Sequence, residues 1–412
     1  MSLLSVRNIF SVLRSPTAVV AVSVFLTFSG FTLIIPVLPF VIGQFVPFHE
    51  VARYVSLIIA AYALCAFLAA PVLGAWSDRL GRRPVLLFSI AGSVVGFVIF
   101  GLGGALWVLF AGRMIAGLTA GNVSAMYAYI ADTHAPKDRG AAFGFLGAAG
   151  GLGFMLGPAL GGFLGDISYA LPAFAAAGVT VLNALWVYLC VPESLRIEHR
   201  SDRLQWNQFN PFRQLIAVLN NKAILPIFAT AFLFFTAATI MQSNMGVLLK
   251  ESLAFTPTLI GASLLGVGVM DIVSQGVATP RLLPRFGERR VAIAGLVINA
   301  VGFALLVLLA AQPSIPLLAI ATAVLTFGDG LFQPSANAIM SGATPADQQG
   351  RVQGANQAQQ AIARVIGPLG SATLYEIFPG APYLAGALLL VAAVFILAPA
   401  RLASAQTDSA AR

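Results

Sequence analysis

The chain is poor in charge, cysteine and histidine, and each shortage excludes a class of protein. Only 9% of its 412 residues are charged, against about 25% in a soluble domain, so polar groups cannot cover a water-facing surface. Cys65 and Cys190 lie in apolar runs and are too few for a disulfide framework or a cysteine metal site. The three histidines are scattered, and no GxxxxGK[ST] motif predicts ATP binding. We therefore expect no catalytic centre, no metal and no cofactor.

Long apolar runs are what the chain has instead. Residues 15–48, 140–165, 167–192 and 291–328 contain no Asp, Glu, Lys or Arg. Each run is long enough for a helix of about 20 residues to cross the hydrocarbon of a bilayer. Backbone groups in lipid must bond internally, which leaves helices or a closed barrel, and barrel strands would alternate in polarity. The sequence predicts an all-α integral membrane protein with about twelve transmembrane helices. In chain order the predicted spans are 17–44, 51–75, 84–104, 106–131, 139–166, 169–191, 223–249, 256–283, 289–311, 314–341, 349–377 and 379–399.

The net charge of +8 is explained by membrane topology. Arg113 and Arg364 fall inside predicted spans and Arg53 and Lys250 on one face, which leaves the other Lys and Arg residues on the opposite face or in the tails. Positive residues collect on the cytoplasmic side. We therefore expect both termini in the cytoplasm and no binding to nucleic acid.

The chain is predicted to be a duplication. The charged segment GAWSDRLGRRPVL, residues 74–86, separates two apolar runs, and a similar charged segment recurs around residues 287–290. We predict an N-terminal six-helix bundle (1–191), a hydrophilic cytoplasmic linker (192–222) and a C-terminal six-helix bundle (223–412). In transporters built from parallel repeats, the substrate site lies between the halves near the bilayer midplane.

Several motifs give the chain a family resemblance from about Phe31 to Tyr375. They are GAWSDRLGRRPVL after the second span, GRMIAGLTAG (112–121), GFMLGPALGG (153–162), IIPVLP (34–39), YIAD (129–132) and PES (192–194). With them the chain resembles the major facilitator superfamily. More narrowly, it is similar to the twelve-helix drug/proton antiporters and, within them, to the tetracycline/proton antiporter group.

The resemblance implies a function. We expect a secondary active transporter in a bacterial inner membrane that exports drug-like or amphiphilic small molecules, tetracycline-like or multidrug, in exchange for protons. It would work by alternating access, as a monomer. One alternative keeps the fold and transports a metabolite such as a sugar, a siderophore or an amino-acid derivative. A channel or a membrane sensor is a second alternative, which the duplicated halves and the intramembrane acids disfavour.

The first charged segment supplies candidate gating residues. They are Gly74, Asp78, Arg79, Gly81, Arg82 and Arg83. The two glycines permit close or left-handed turns. The resemblance implies that Asp78 and Arg79 bond across the halves and stabilise the outward-open state. The alternative is that the arginines only fix the topology.

The fifth span carries small residues at helical spacing. Gly153, Gly157 and Gly161 form a face that lets helices approach closely, and Pro158 bends the helix. The resemblance implies a role in switching and in limiting leak. Packing without a special mechanism is the alternative.

Four charged residues inside predicted spans are candidates for proton coupling. Asp271 and Asp329 lie mid-span among apolar neighbours, where burial favours the protonated form of a carboxylate. The resemblance implies that Arg113, in the motif of the fourth span, takes part in proton coupling, and a structural anchor is the alternative. Arg364 in the eleventh span could pair with either acid, and a fixed structural ion pair is the alternative to a coupling role.

The chain departs from the tetracycline group at three positions. That group carries acids in the first, third and ninth spans, where this chain has Thr27, Gly96 and Asn299. These residues cannot carry a proton at neutral pH, so we expect the proton route at Asp271, at Asp329 or at Asp132, which lies nearer the cytoplasm.

Polar residues within apolar spans could line a substrate cavity. The candidates are Asn122, Tyr127, Gln242, Gln333, Asn337 and Gln357. Gln333 and Asn337 are one helical turn apart and share a face with Asp329, so these three form the expected substrate-facing stripe.

Overall fold

The structure is a computed structural model that describes residues 15–135, 138–200, 224–344 and 349–400. Within these ranges the chain is helical and contains no strand. The first helices are α1 (Pro16–Thr32), α2 (Leu38–Ile42), α3 (Val51–Leu80), α4 (Arg82–Leu102), α5 (Leu106–Leu118), α6 (Asn122–Thr133), α7 (Arg139–Ile167) and α8 (Leu171–Cys190). They are followed by α9 (Leu225–Leu253), α10 (Pro257–Val273), α11 (Thr279–Phe286), α12 (Glu288–Ala311), α13 (Ile315–Gly342), α14 (Gln349–Ile377) and α15 (Ala381–Leu397). A π-helical turn, Ser274–Ala278, joins α10 to α11.

These helices confirm a multi-pass membrane protein. Ten helical segments of the described ranges are long and apolar enough to cross a bilayer. Two further helices correspond to the last two predicted spans: α15 is apolar but has 17 residues, and α14 has 29 residues but is rich in glutamine.

The charged segment 74–86 is two helix ends rather than a loop. Only Gly81, with φ 111°, separates α3 from α4. Gly74 lies inside α3 and makes no turn, contrary to the expectation for it. In the second half Gly287, with φ 77°, separates α11 from α12 in the same way. A left-handed glycine at each break explains why the duplicated segment keeps a glycine there.

The described residues fall into two compact units. The first takes its residues from Met1–Phe45, Cys65–Asn210 and Thr256–Leu265, and the second from Val46–Leu64, Pro211–Phe255 and Gly266–Arg412. Most of the predicted linker, 192–222, and the ends of both tails lie outside the described residues. The predicted bundle boundaries therefore stay a prediction.

Both units pack two of their helices through glycines. A Cβ on Gly96 of α4 would lie 2.6 Å from the carbonyl oxygen of Gly112 on α5. A Cβ on Gly295 of α12 would lie 2.9 Å from the carbonyl oxygen of Gly328 on α13. The backbones touch at these points, which fixes the relative position of each pair of helices.

Apolar side chains fill the rest of each unit. The first unit has a buried cluster that includes Ile90, Met126 and Leu146. In the second, the rings of Phe234 and Phe332 lie 4.4 Å apart between centroids. The polar residues described below are held against these rigid cores.

Candidate functional site

The second unit brings the two mid-span acids into one cluster. Asp271 of α10 accepts hydrogen bonds from Nε2 of Gln275, 2.8 Å from each carboxylate oxygen. Oδ1 of Asp329 on α13 accepts a 2.5 Å hydrogen bond from Nδ2 of Asn299 on α12. The two carboxylates are close enough to interact electrostatically. We call these four residues the acid cluster.

The π-helical turn positions one side of the acid cluster. Ser274 Oγ donates to the carbonyl of Phe327 at 3.0 Å, and Thr279 Oγ1 donates to the carbonyl of Gly330 at 2.7 Å. A Cβ on Gly330 would collide with the Ser274 side chain. The turn is thereby fixed against α13, with Gln275 inside it and next to Asp271. π-Bulges occur often at functional sites, and nothing in the hydrophobic pattern of the sequence predicted this one.

Asn299 is held on its other side by the backbone. Its Nδ2 also donates to the carbonyl of Leu325 at 3.0 Å, and the side chain is buried. From the resemblance we expected only that position 299 lacks an acid. The structure adds that the amide binds the acid of the neighbouring span.

Arg364 lies on α14 of the second unit and is exposed. The phenol of Tyr62 lies near its guanidinium. Among the ion pairs of the described residues, none joins Arg364 to Asp271 or Asp329. Both acids are bonded to amides instead.

Arg113 belongs to the first unit. Its side chain is 4% exposed, and its guanidinium carbon lies 5.3 Å from the centroid of the Phe31 ring. This cation–π contact offsets part of the cost of burying a charge. The structure thus places Arg113 in a different unit from the acid cluster.

The predicted cavity residues differ in exposure. Gln242, Asn337 and Gln357 are exposed, Gln333 and Tyr127 are half-buried, and Asn122 is buried. Of the expected stripe on α13, Asp329 and Gln333 are half-buried and Asn337 is exposed, so the face becomes more open toward the C-terminal end of the helix.

Two buried amides next to these residues were not predicted. Asn356 Nδ2 donates to Oδ1 of Asn337 at 3.4 Å, and Gln359 Nε2 donates to Oδ1 of Asn356 at 2.8 Å. They connect α14 to α13. No sequence pattern separates them from their exposed neighbour Gln357, because several glutamines and asparagines are adjacent on this helix.

The candidate gating residues form an ion-pair network within the first unit. Arg82 donates to Asp78 at 2.5 Å and to Asp132 at 2.8 Å. Ser194 donates to the same oxygen of Asp132 at 3.1 Å. Arg82 thus joins the end of α3 to the end of α6, and its role in gating stays a prediction. The expected contact of Asp78 and Arg79 with the other half stays a prediction.

Glu193 is a structural residue that we did not single out as a candidate. Its carboxylate accepts hydrogen bonds from the backbone N–H groups of Arg82 at 2.8 Å and Arg83 at 3.1 Å. It thus caps the start of α4, where a negative charge is favoured. Arg83 in turn donates to the carbonyl of Tyr188 at 2.6 Å. The start of the linker is bound to the helix break at Gly81.

The fifth-span glycines pack α7 against α1. A Cβ on Gly153 would lie 2.5 Å from the carbonyl oxygen of Phe25, and one on Gly157 would lie 2.8 Å from that of Ser29. Gly161 meets the backbone of Leu33 even more closely. The predicted close approach is confirmed for all three glycines. Pro158 is buried within α7.

The other two positions that lack an acid are also accounted for. Thr27 Oγ1 accepts a hydrogen bond of 3.0 Å from Asn183 Nδ2. Gly96 has no room for any side chain, because it touches the backbone of Gly112. The first unit is therefore built without carboxylates at either position.

Comparison with known proteins decides the family. The sequence model of the Major Facilitator Superfamily matches residues 20–270 and 227–411, which together cover most of the chain. The chain belongs to the Major Facilitator Superfamily. As a superfamily member it is a multi-pass membrane transporter and not an enzyme.

Relatives with similar sequences cover nearly the whole chain. The class D tetracycline resistance protein of Salmonella ordonez is 33% identical, over 88% of this chain and 90% of that protein. The class B tetracycline resistance protein of Escherichia coli is 31% identical, over 97% and 100%. Multidrug resistance protein 1 of Bacillus subtilis is 26% identical, over 88% and 90%. The resemblance to the tetracycline group is confirmed.

Solved structures share the fold. A D-xylose-proton symporter matches with a TM-score of 0.73 and 18% identity over 94% of this chain and 97% of that one. The human organic anion transporter MFSD10 matches with a TM-score of 0.71 and 23% identity over 92% and 98%. At these identities the likeness establishes the major facilitator fold alone.

Proposed function

We propose that this transporter exports drug-like, amphiphilic small molecules from a bacterial cytoplasm in exchange for protons. The acid cluster is the coupling site. Protons load onto Asp271 or Asp329 from outside and leave toward the cytoplasm, while the substrate moves outward by alternating access. The protein acts as a monomer in the inner membrane, with both termini in the cytoplasm and two six-helix bundles joined by the linker 192–222.

One observation carries the coupling proposal: both mid-span acids are bonded to neutral amides and not to an arginine. An acid locked in an ion pair would hold its charge and could not cycle. Asp271 with Gln275, and Asp329 with Asn299, keep their freedom to gain and lose a proton. The electrostatic contact between the two carboxylates makes the charge of one depend on the other.

The names of the related proteins support a drug-like substrate. Proteins named for tetracycline and multidrug resistance match this chain over most of its length. Apolar walls with a few polar points suit amphiphilic molecules of drug size. Thr27, Gly96 and Asn299 distinguish this chain from the tetracycline group, so its substrates need not include tetracycline itself.

Susceptibility profiling identifies substrates first. A pump-deficient bacterial host that expresses the chain is exposed to tetracyclines, dyes, phenicols and quinolones. We expect raised resistance to at least one class. Unchanged sensitivity to all four would contradict drug export and favour a metabolite substrate.

Reconstitution then tests proton exchange. The purified protein in proteoliposomes should transport the identified drug faster when an inward proton gradient is imposed. Asp329→Asn and Asp271→Asn should abolish the acceleration while both variants still bind the drug. Asp138→Asn, which removes an exposed carboxylate next to α7, is the charge-matched control. A transport rate that does not change with the proton gradient, or an acceleration that remains in both variants, would refute the proposed coupling site.

A further inference from the structure

One face of α14 is polar from Gln353 to Arg364. Gln353, Gln357, Gln360 and Arg364 follow one another at intervals of four, three and four residues, which places them on a single helix face. Gln353, Gln357 and Arg364 are exposed and Gln360 is half-buried. We call these four residues the α14 stripe.

The opposite face is apolar and exposed in the C-terminal half of α14. Its residues include Ile366, Leu369 and Ile377. Since α14 has the length of a membrane span, this apolar face suits lipid. The α14 stripe cannot face hydrocarbon, because exposed amides and a charge in lipid are costly, so it must face water.

Arg364 is the member of the α14 stripe nearest the C-terminal end of the helix. Further along the same face, Ser371 and Tyr375 are buried and packed on α9. Ser371 and Ser243 share a hydrogen bond of 3.2 Å, and Tyr375 donates to Glu251 at 2.9 Å. The wet part of the stripe therefore ends at the guanidinium.

No acid of the described residues forms an ion pair with Arg364. The phenol of Tyr62 lies near the Arg364 guanidinium. The two acids, Asp271 and Asp329, are bonded to the amides of Gln275 and Asn299 instead. A guanidinium stays charged at any physiological pH. A permanent positive charge midway along a helix of this length is stabilised when an anion binds to it.

We propose that Arg364 binds a negatively charged group of the transported molecule, such as a carboxylate or a sulfonate. This inference rests on the proposed function, since it names the substrate class of that transporter: amphiphiles with an anionic group next to an apolar body. A guanidinium can bind such a group through two parallel hydrogen bonds. The glutamines of the α14 stripe would supply neutral donors along the approach.

A matched pair of probes tests the proposal. 8-Anilinonaphthalene-1-sulfonate and N-phenyl-1-naphthylamine share one aromatic skeleton, and only the first carries a sulfonate. Binding is measured by fluorescence titration of the full chain in nanodiscs of neutral phosphatidylcholine, with empty nanodiscs as the blank. Neutral lipid keeps anionic headgroups from competing.

Substitutions at Arg364 should affect the two probes differently. We expect Arg364→Gln to weaken binding of the sulfonate by about 10- to 100-fold, the effect of losing a charge-assisted hydrogen bond. Binding of the neutral probe should change by less than about threefold. Arg364→Lys should restore part of the loss, because it keeps the charge but not the planar fork.

Arg285→Gln is the matched control, since it removes an exposed arginine of α11. It should leave binding of both probes unchanged. Midpoints of thermal unfolding for all variants show whether each one is folded.

Three outcomes would overturn the proposal: no saturable sulfonate binding to the wild type, an Arg364→Gln variant with unchanged affinity, or an equal loss for both probes. The titration uses one pH and no gradient. A failure of proton exchange would therefore leave this result intact, and a failure here would leave the exchange experiment intact.

Discussion

Asn299 donates a hydrogen bond from its side-chain nitrogen to Oδ1 of Asp329, and this 2.5 Å contact ties α12 to α13 at the acid cluster. The resemblance places an acid of the tetracycline group at position 299. Here an amide occupies that position and the carboxylate lies across the helix interface. The carboxylate of Asp329 thus lies within hydrogen-bond distance of the side chain at position 299.

This geometry predicts that the two residues can be exchanged. Asp329→Asn alone should lower proton-driven export by at least about tenfold, as for loss of a coupling group. The double variant Asn299→Asp/Asp329→Asn should recover most of it, because the carboxylate returns to within hydrogen-bond distance of its original place. Export driven by an imposed pH gradient is the measurement. A double variant as inactive as Asp329→Asn would show that the helix carrying the acid matters, and not only its location.

The π-helical turn should be sensitive to one glycine and insensitive to another. A methyl group on Gly330 would collide with Ser274, so Gly330→Ala should lower the free energy of unfolding by about 1–3 kcal/mol. Gly276 lies inside the turn with open space around it, so Gly276→Ala should be neutral or slightly stabilising. Thermal unfolding of the two purified variants makes the comparison. Equal midpoints would contradict the close packing of the turn on α13.

The cap at the start of α4 predicts a stabilising role for Glu193. Glu193→Ala removes the acceptor of three backbone N–H groups, two at the start of α4 and that of Leu195, and should cost about 0.5–2 kcal/mol of stability. Glu198 is an exposed carboxylate of the same segment, so Glu198→Ala serves as the control and should change little. The midpoint of thermal unfolding in detergent is again the readout. If both alanine variants unfold at the wild-type temperature, the cap contributes nothing measurable.

The fifth span predicts a difference between its glycines. Gly157 faces the backbone of α1, while Gly151 has open space around it. Gly157→Val should force the two helices apart. We expect it to lower the free energy of unfolding by about 1–3 kcal/mol and to reduce export. Gly151→Val should be tolerated, apart from the small loss of helix propensity of a β-branched residue. Expression level, thermal unfolding and drug resistance of the host can be compared for the two variants. Equal tolerance would show that the glycine face is not a packing surface.

Much of the fold could be predicted because it follows from local properties. The apolar runs have to be helices, since lipid offers the backbone no hydrogen-bond partner. The glycines at 153, 157 and 161 are spaced so that they must share a helix face. Both features are present in the structure as expected.

The expectation for Gly74 was wrong for a physical reason. A glycine next to charged residues suits a turn or a helix interior equally well, and the choice depends on where the preceding span ends. That span continues to Leu80, and the break falls at Gly81. Helix ends depend on packing and capping partners that lie far away in the sequence, here Glu193.

The sequence alone determined that this is a membrane protein of long apolar helices and that Asp271 and Asp329 lie within two of them. The repeat of the halves and the position of Arg364 within a span stay predictions. It could not determine which charges meet. Side chains on different helices are brought together by interhelical packing, and one residue of axial shift or a single π-helical turn changes every contact along a face. The tertiary structure decided that both acids are bonded to amides and that the exposed polar side chains on one face of α14 end at Arg364.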